Sequence, residues 1–340
     1  MRLVLARPTG STADLPSAAL LAEAGGISAR FPEARLRPCS LVRLPEADGP
    51  AHARVWLALE SLQVTGSFKV RGALLALSHL AAKGAKAVVA ASAGNHGAGV
   101  AYAANVLDLD ATIVVPRGAP EAKRERIASY GARLVVSKSA GYDDAEKEAR
   151  ELAESMKLRF VSPYDDVAVV AGNGGSLGAE IAKALGHEPA VVIAPFGGGG
   201  LATGLACALR SSKVFGAQSE ASPAFAQSLE RGEAVEHLEA VETLADGLEG
   251  GISRAAFERA RAVVAGVAVV TEDAIAKSMA RAYRTLGVAI EGSAAAAVAP
   301  LLEPELPEAM RPPPGGDLVV VLTGRNVDRA RLESILVGSA

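Results

Sequence analysis

Lys69 lies in the stretch Thr65-Gly66-Ser67-Phe68-Lys69-Val70-Arg71-Gly72-Ala73, directly after an aromatic residue and between two glycines. The apolar run Val55-Trp56-Leu57-Ala58-Leu59 precedes it. An amine placed there is set to lose solvent, and a desolvated lysine is both a nucleophile toward carbonyls and a base. Two other segments carry chemistry: Ser92-Ala93-Gly94-Asn95-His96-Gly97 and Gly197-Gly198-Gly199-Gly200-Leu201. A reactive lysine combined with a glycine loop suited to a phosphate suggests pyridoxal phosphate held as a Schiff base. Taken alone, a lysine of this kind is more often a surface residue at the start of an amphipathic helix. The chemical reading rests on counting the motifs together.

The glycine run follows an apolar strand ending at Pro195-Phe196 and precedes a helix expected from about Leu201. In that setting backbone N–H groups and a helix N-terminus converge on an anion, and side chains would block the approach. A packing or linker role is the plainer alternative. A dinucleotide site is the chemical rival, but the spaced Gly-x-Gly-x-x-Gly pattern with an acidic residue on the next strand is not clear here. In the Ser92–Gly97 turn, the Ser92 and Asn95 side chains and free N–H groups could hold a carboxylate, and Asn95 could reach a ring oxygen. Ordinary helix capping by Ser92 or Asn95 explains the same residues equally well, and His96 alone reads as structural. Thr323 ends the last apolar strand, where its hydroxyl could bond a pyridine nitrogen without protonating it or simply serve a turn.

These residues need a scaffold, and the chain supplies one. It has 340 residues, of which 50% are hydrophobic and only 4% aromatic, so Ala, Val, Leu and Gly must build a large core. Short apolar runs at 87–91, 111–115 and 133–136 alternate with helical stretches at about 96–106, 121–130 and 142–157. This βα alternation predicts an α/β fold with mostly parallel sheets covered by helices. The first set forms a small lobe from about 85 to 163, expected to close on the substrate. Further runs at 191–194, 213–217, 267–270 and 318–322 form a large cofactor-binding lobe with residues 1–84. Residues 221–255 fit no clear element. The mixed-sign run Glu121-Ala122-Lys123-Arg124-Glu125-Arg126 reads as a solvated helix face.

Taken together, the segments 66–73, 92–97, 197–201 and 323–328 resemble the fold-type II pyridoxal-phosphate enzymes, the group of threonine dehydratase, serine racemase and threonine synthase. The resemblance runs from about Arg37 to Asp328. It implies a Schiff base on Lys69, Phe68 and Asn95 flanking the ring, a phosphate on Gly197 to Leu201 and Thr323 at the pyridine nitrogen. It also implies Glu291 near the cofactor and Ser92 to His96 around the substrate. Serine racemases carry a serine immediately before Gly-Asn-His as a second acid/base, whereas Ala93 stands there in this chain, as in threonine dehydratases. A methyl group delivers no proton, so the resemblance favours β-elimination from threonine or serine, with Lys69 as the lone base.

The alternatives are a dehydratase of another hydroxy-amino acid (3-hydroxyaspartate or a hydroxyectoine-derived compound), a racemase, a β-replacement enzyme, or a catalytically silent binder. Relatives often hold a divalent cation between a glutamate and an acidic residue six positions later. Glu220 matches the first, but Ala226 occupies the second, so a complete metal site is not expected. Leu57-Ala58-Leu59-Glu60 and Gly172-Asn173-Gly174-Gly175 also depart from the family pattern, and these departures bear on substrate identity rather than on the cofactor.

A net charge of -3 without a dense basic run argues against nucleic acid. Cys39 and Cys207 form no disulfide framework or metal spacing and read as buried thiols. Residues 190–209 carry no charge, yet Pro195 and the glycines break a membrane helix, so strand, loop and helix is the reading. The expected protein is cytoplasmic, homodimeric or homotetrameric, with no membrane segment, no secretory signal and no C-terminal regulatory domain.

Overall fold

The computed structural model describes residues 1–7, 14–45, 53–239 and 241–338. Among the described residues there are eleven strands: β1 (Arg2–Leu5), β2 (Leu41–Arg43), β3 (Arg54–Ala58), β4 (Ala87–Ala91), β5 (Asp110–Val115), β6 (Arg133–Val136), β7 (Arg159–Phe160), β8 (Val191–Pro195), β9 (Lys213–Ser219), β10 (Gly266–Val270) and β11 (Asp317–Val321). They form a seven-stranded sheet, ordered β1-β10-β9-β8-β11-β3-β2, and a four-stranded sheet, ordered β6-β5-β4-β7. The small sheet is parallel throughout. The large one is parallel except at its edges, where β1 and β2 run antiparallel to their neighbours.

The central strands are apolar on both faces because helices cover both, as parallel βα units require. Val191, Ile193, Phe215, Leu318 and Val320 point to one face, into a core shared with the helix Gly292–Val298. Val192, Ala194, Val214, Val319 and Val321 point to the other, against Leu201, Leu205, Phe225 and Phe257. The alternation is the two-residue period of a strand, seen with no polar phase. On the small sheet the helix Tyr142–Ser155 buries Ala145, Ala149 and Ala153 against Val89, Ala91 and Val114, a one-residue-per-turn stripe of small side chains.

Two regions differ from the sequence expectation. Between 221 and 255, where the sequence fits no clear element, lie a helix Ala224–Arg231 and a short 3-10 turn Asp246–Leu248. The Glu272 carboxylate anchors the chain before that turn, accepting from Thr243 Oγ1 at 2.6 Å and from the Leu244 N–H at 2.7 Å. The 121–126 run is not a wholly solvated face either: Lys123 Nζ bonds Asp246 Oδ2 at 2.5 Å, from the small-sheet side to the large-sheet side. Cys39 is buried, whereas Cys207 is half-buried; desolvation raises both thiol pKa values, to about 11 at Cys207. No helix among the described residues is long and apolar enough to cross a membrane.

Candidate active site

The lysine segment is held by the chain that leaves β11. Ser67 and Gly324 form an isolated antiparallel bridge, Phe68 N–H donates to the Thr323 carbonyl at 3.1 Å, and Arg325 N–H donates to the Gly66 carbonyl at 3.0 Å. Gly66 makes the turn with φ 72°, and a β-carbon there would run into the Asn326 side chain. Lys69 is then the first residue of the helix Lys69–Ala82. Its amine opens onto a cleft but is otherwise enclosed by protein, 5.2 Å from the Phe68 ring centre. Desolvation lowers its pKa to about 8, with Glu291 pulling the other way.

The glycine run forms a cradle. Gly199 has φ 79°, the left-handed region, and the helix Gly200–Ala208 starts immediately after it. The N–H groups of Gly197 to Gly200 reach no protein acceptor among the described residues. Space is closed on the far side: a β-carbon on Gly198 would lie 2.6 Å from the Tyr164 ring, and one on Gly199 would lie 2.7 Å from the Phe196 ring. Four donors, a helix N-terminus and no obstructing side chains make an anion site.

Asn95 and Glu291 meet across the cleft floor. Asn95 Nδ2 donates to Glu291 Oε1 at 2.7 Å, and the Asn326 N–H donates to Glu291 Oε2 at 3.1 Å. Burial nevertheless raises the Glu291 pKa to about 7. Ser92 Oγ accepts from the Gly94 N–H at 3.0 Å, so Gly94 rather than Ser92 or Asn95 is the cap of the helix Asn95–Val106. His96 Nε2 faces the Val161 carbonyl at 3.0 Å and must therefore carry the hydrogen, which leaves buried Nδ1 as an acceptor without a partner. Burial and the Lys69 charge lower the His96 pKa to about 3, so the ring is neutral and its free nitrogen has no proton to give.

Phe68, Lys69, Ser92, Ala93, Gly94, Asn95, His96, the residues Gly197 to Leu201, Glu291 and Thr323 all line one cleft of about 1250 Å³. Thr323 is buried, and its hydroxyl makes no hydrogen bond to described protein atoms. Glu220 stands apart. It is exposed, and its Oε1 accepts from the Glu272 N–H at 3.4 Å, at the start of the helix Glu272–Leu286. No group of three His, Cys, Asp or Glu among the described residues is arranged for a metal ion.

Sequence reasoning missed three contributors. Tyr164, which packs on Gly198, had no motif around it. Asn326 sat within a quoted segment but was given no task. The turn Gly172–Gly175, whose departure from the family pattern bears on substrate identity, is buried in a π-helical turn, Ala171–Gly175, outside the cleft. Its work is mechanical. Asn173 Oδ1 accepts from the Gly72 N–H at 2.9 Å, and a β-carbon on Gly172 would lie 2.7 Å from the Gly72 Cα. On its other side Gly174 abuts Gly204, where a β-carbon on Gly204 would lie 2.8 Å from the Gly174 Cα. One turn thus fixes the lysine helix against the helix that begins at the glycine cradle, and only small residues permit that approach.

A desolvated lysine facing an anion cradle between two α/β sheets defines an enzyme site built for a phosphate-bearing carbonyl cofactor. Comparison with known proteins agrees. Residues 33–324 match the family model described as pyridoxal-phosphate dependent enzyme, and the chain belongs to that family. It is 37% identical over 289 residues to the catabolic L-threonine dehydratase of Escherichia coli strain K12, covering 83% of this chain and 85% of that protein. It is 36% identical over 291 residues to the L-threonine ammonia-lyase of Thermotoga maritima, covering 83% and 69%. Among solved structures, maize serine racemase superposes with a TM-score of 0.84 at 27% identity, covering 96% of this chain and 98% of that one.

The residues present fit the cofactor: unpartnered N–H groups at Gly197 to Gly200, an unpartnered hydroxyl at Thr323 and an amine within the same cleft. Gly199→Ala tests the cradle. An alanine at φ 79° carries a strain of about 1–2 kcal/mol and meets the Phe196 ring, so the loop must move. The expected result is roughly tenfold weaker pyridoxal-phosphate binding, measured by absorbance titration of cofactor-free protein.

Proposed function

We propose that this chain is an ammonia-lyase that eliminates water from threonine and serine, releasing a 2-oxo acid and ammonia. The observation that carries the reading is Lys69: an amine with pKa lowered to about 8, enclosed beside an anion cradle. Position 93 presents a methyl group to the cleft, and the neighbouring His96 is neutral with its hydrogen committed to Val161.

Pyridoxal phosphate, when bound, supplies an electron sink for the charge left at the substrate α-carbon. The protein supplies the rest. Gly197 to Leu201 would hold its phosphate, Phe68, Asn95 and Glu291 would stand around its ring, and Thr323 would offer the ring nitrogen a neutral hydroxyl. In the turn Ser92 to His96, the N–H groups of Ala93, Asn95 and His96 bond no described protein atom and would meet the substrate carboxylate. Lys69 would hold the cofactor carbonyl and would take the substrate α-proton as general base. Residues 85–163 form the lobe that closes on substrate and excludes water, against a large lobe of 1–84 and 164–340. The Lys123–Asp246 pair spans that closure. By its resemblance to its relatives the protein is proposed to be cytoplasmic and homodimeric or homotetrameric, and it departs from those that hold a divalent cation because Ala226 stands where the second acidic ligand would be.

A panel of L-threonine, L-serine, D-serine and 3-hydroxyaspartate tests this. Ammonia and 2-oxo acid are expected from the first two, with no loss of optical activity in residual substrate. Racemization without ammonia release would refute the reading.

A further inference from the structure

We propose that Asn326 is a positioning residue that dictates which end of the Asn95 amide faces Glu291, and so sets the hydrogen-bond polarity of the cofactor site. The inference rests on the cleft being a cofactor site and says nothing of the substrate. Asn326 Nδ2 lies 3.0 Å from the Thr65 carbonyl and 2.6 Å from Asn95 Oδ1. A carbonyl only accepts, so the atom facing Thr65 must be the amide nitrogen, and the same nitrogen faces Asn95. Asn95 is thereby forced to offer Oδ1 to Asn326 and Nδ2 to Glu291, where the second bond is 2.7 Å. The Asn326 backbone N–H closes the ring on the other Glu291 oxygen at 3.1 Å. Asn326 Nδ2 donates one hydrogen to each of two acceptors and every other donor in the ring has one, so reversing any member would set two acceptors or two donors against each other.

The ring joins four distant segments. Thr65 begins the strand of chain that delivers Lys69, Asn95 begins the helix beside the cleft, Glu291 precedes the helix Gly292–Val298, and Asn326 follows β11. Gly66 has no β-carbon, which leaves the space the Asn326 amide fills.

The polarity can be reversed as a test. Asn326→Asp puts an acceptor where the donor was and draws the Asn95 amide round, turning its oxygen toward the Glu291 carboxylate. Glu291→Gln supplies a donor at that point while keeping an oxygen for the backbone N–H of residue 326. We expect each single variant to bind pyridoxal phosphate roughly tenfold more weakly. The double variant should bind at least threefold more tightly than Asn326→Asp alone, recovering part of the loss because only the Thr65 carbonyl still lacks its donor. Dissociation constants come from absorbance titration, and the pH midpoint of cofactor uptake is read in the same samples. Asn326→Asp should move that midpoint upward by adding a negative charge near Lys69, and the double variant should move it back.

Losses that simply multiply in the double variant, or an Asn326→Asp protein that binds like wild type, would overturn the assignment, since a bulk packing role gives no compensation. Turnover is not needed for these readings. A wild-type protein that binds cofactor but releases no ammonia sinks the lyase proposal and leaves this cycle intact.

Discussion

Lys69→Ala is expected to reduce ammonia release from threonine by on the order of 10⁴-fold or more, because it removes both the attachment point of the cofactor and the base. The visible absorbance of the protein incubated with pyridoxal phosphate should change with it. A variant retaining wild-type turnover would exclude Lys69 from the chemistry. The same amine gives a pH signature in the wild type. Its pKa is lowered from 10.5 to about 8 by desolvation, so the neutral, nucleophilic form is scarce in acid and dominant above about pH 8. Uptake of pyridoxal phosphate by cofactor-free protein should therefore accelerate about tenfold per pH unit below the midpoint and level off above it. Glu291 opposes the shift by favouring the charged amine, so Glu291→Gln should move the midpoint downward. Stopped-flow absorbance across the range reads both.

Much of this site could be read from residue order, and the reasons are local. The strand–glycine–helix unit at 191–208 and the βα units of the small sheet carry their periodicity in consecutive residues, so their type and placement follow from pattern alone. Lys69 was legible because glycines and an aromatic residue surround it in the chain. Asn326 was not, because its partners at 65, 95 and 291 lie far from it in the chain and meet it only in the fold. Tyr164 escaped for the same reason: it matters through contact with Gly198, and nothing in its own neighbourhood says so. As a departure from a family pattern Gly172–Gly175 bears only on substrate identity in the sequence, and its packing of helix against helix shows only in the fold. Lys123 misled by composition, since a mixed-sign run on a helix normally means solvent, and only the opposing Asp246 turns it into a bridge.

Arg71→Met should produce the largest loss of stability, about 3–5 kcal/mol, seen as a lowered midpoint in chemical denaturation. Arg71 stands two residues after Lys69, and its side chain is fully buried. Its guanidinium grips Glu60 at 2.7 and 2.9 Å and Glu180 at 2.9 and 2.7 Å, and it also meets the Arg37 carbonyl at 3.2 Å. Glu60 is likewise fully buried, so removing the cation strands a carboxylate without solvent. Arg71→Lys should recover little, because a single ammonium cannot make two forked pairs. The size of the effect belongs to the stranded charge rather than to the worth of the pair, and that difference is measurable. Adding Glu60→Gln to Arg71→Met removes one buried charge and should restore about half of the lost stability. If instead the double variant is less stable than Arg71→Met, the geometry of the fork is what holds this segment, and cofactor affinity should fall in step because the same helix turn carries Lys69.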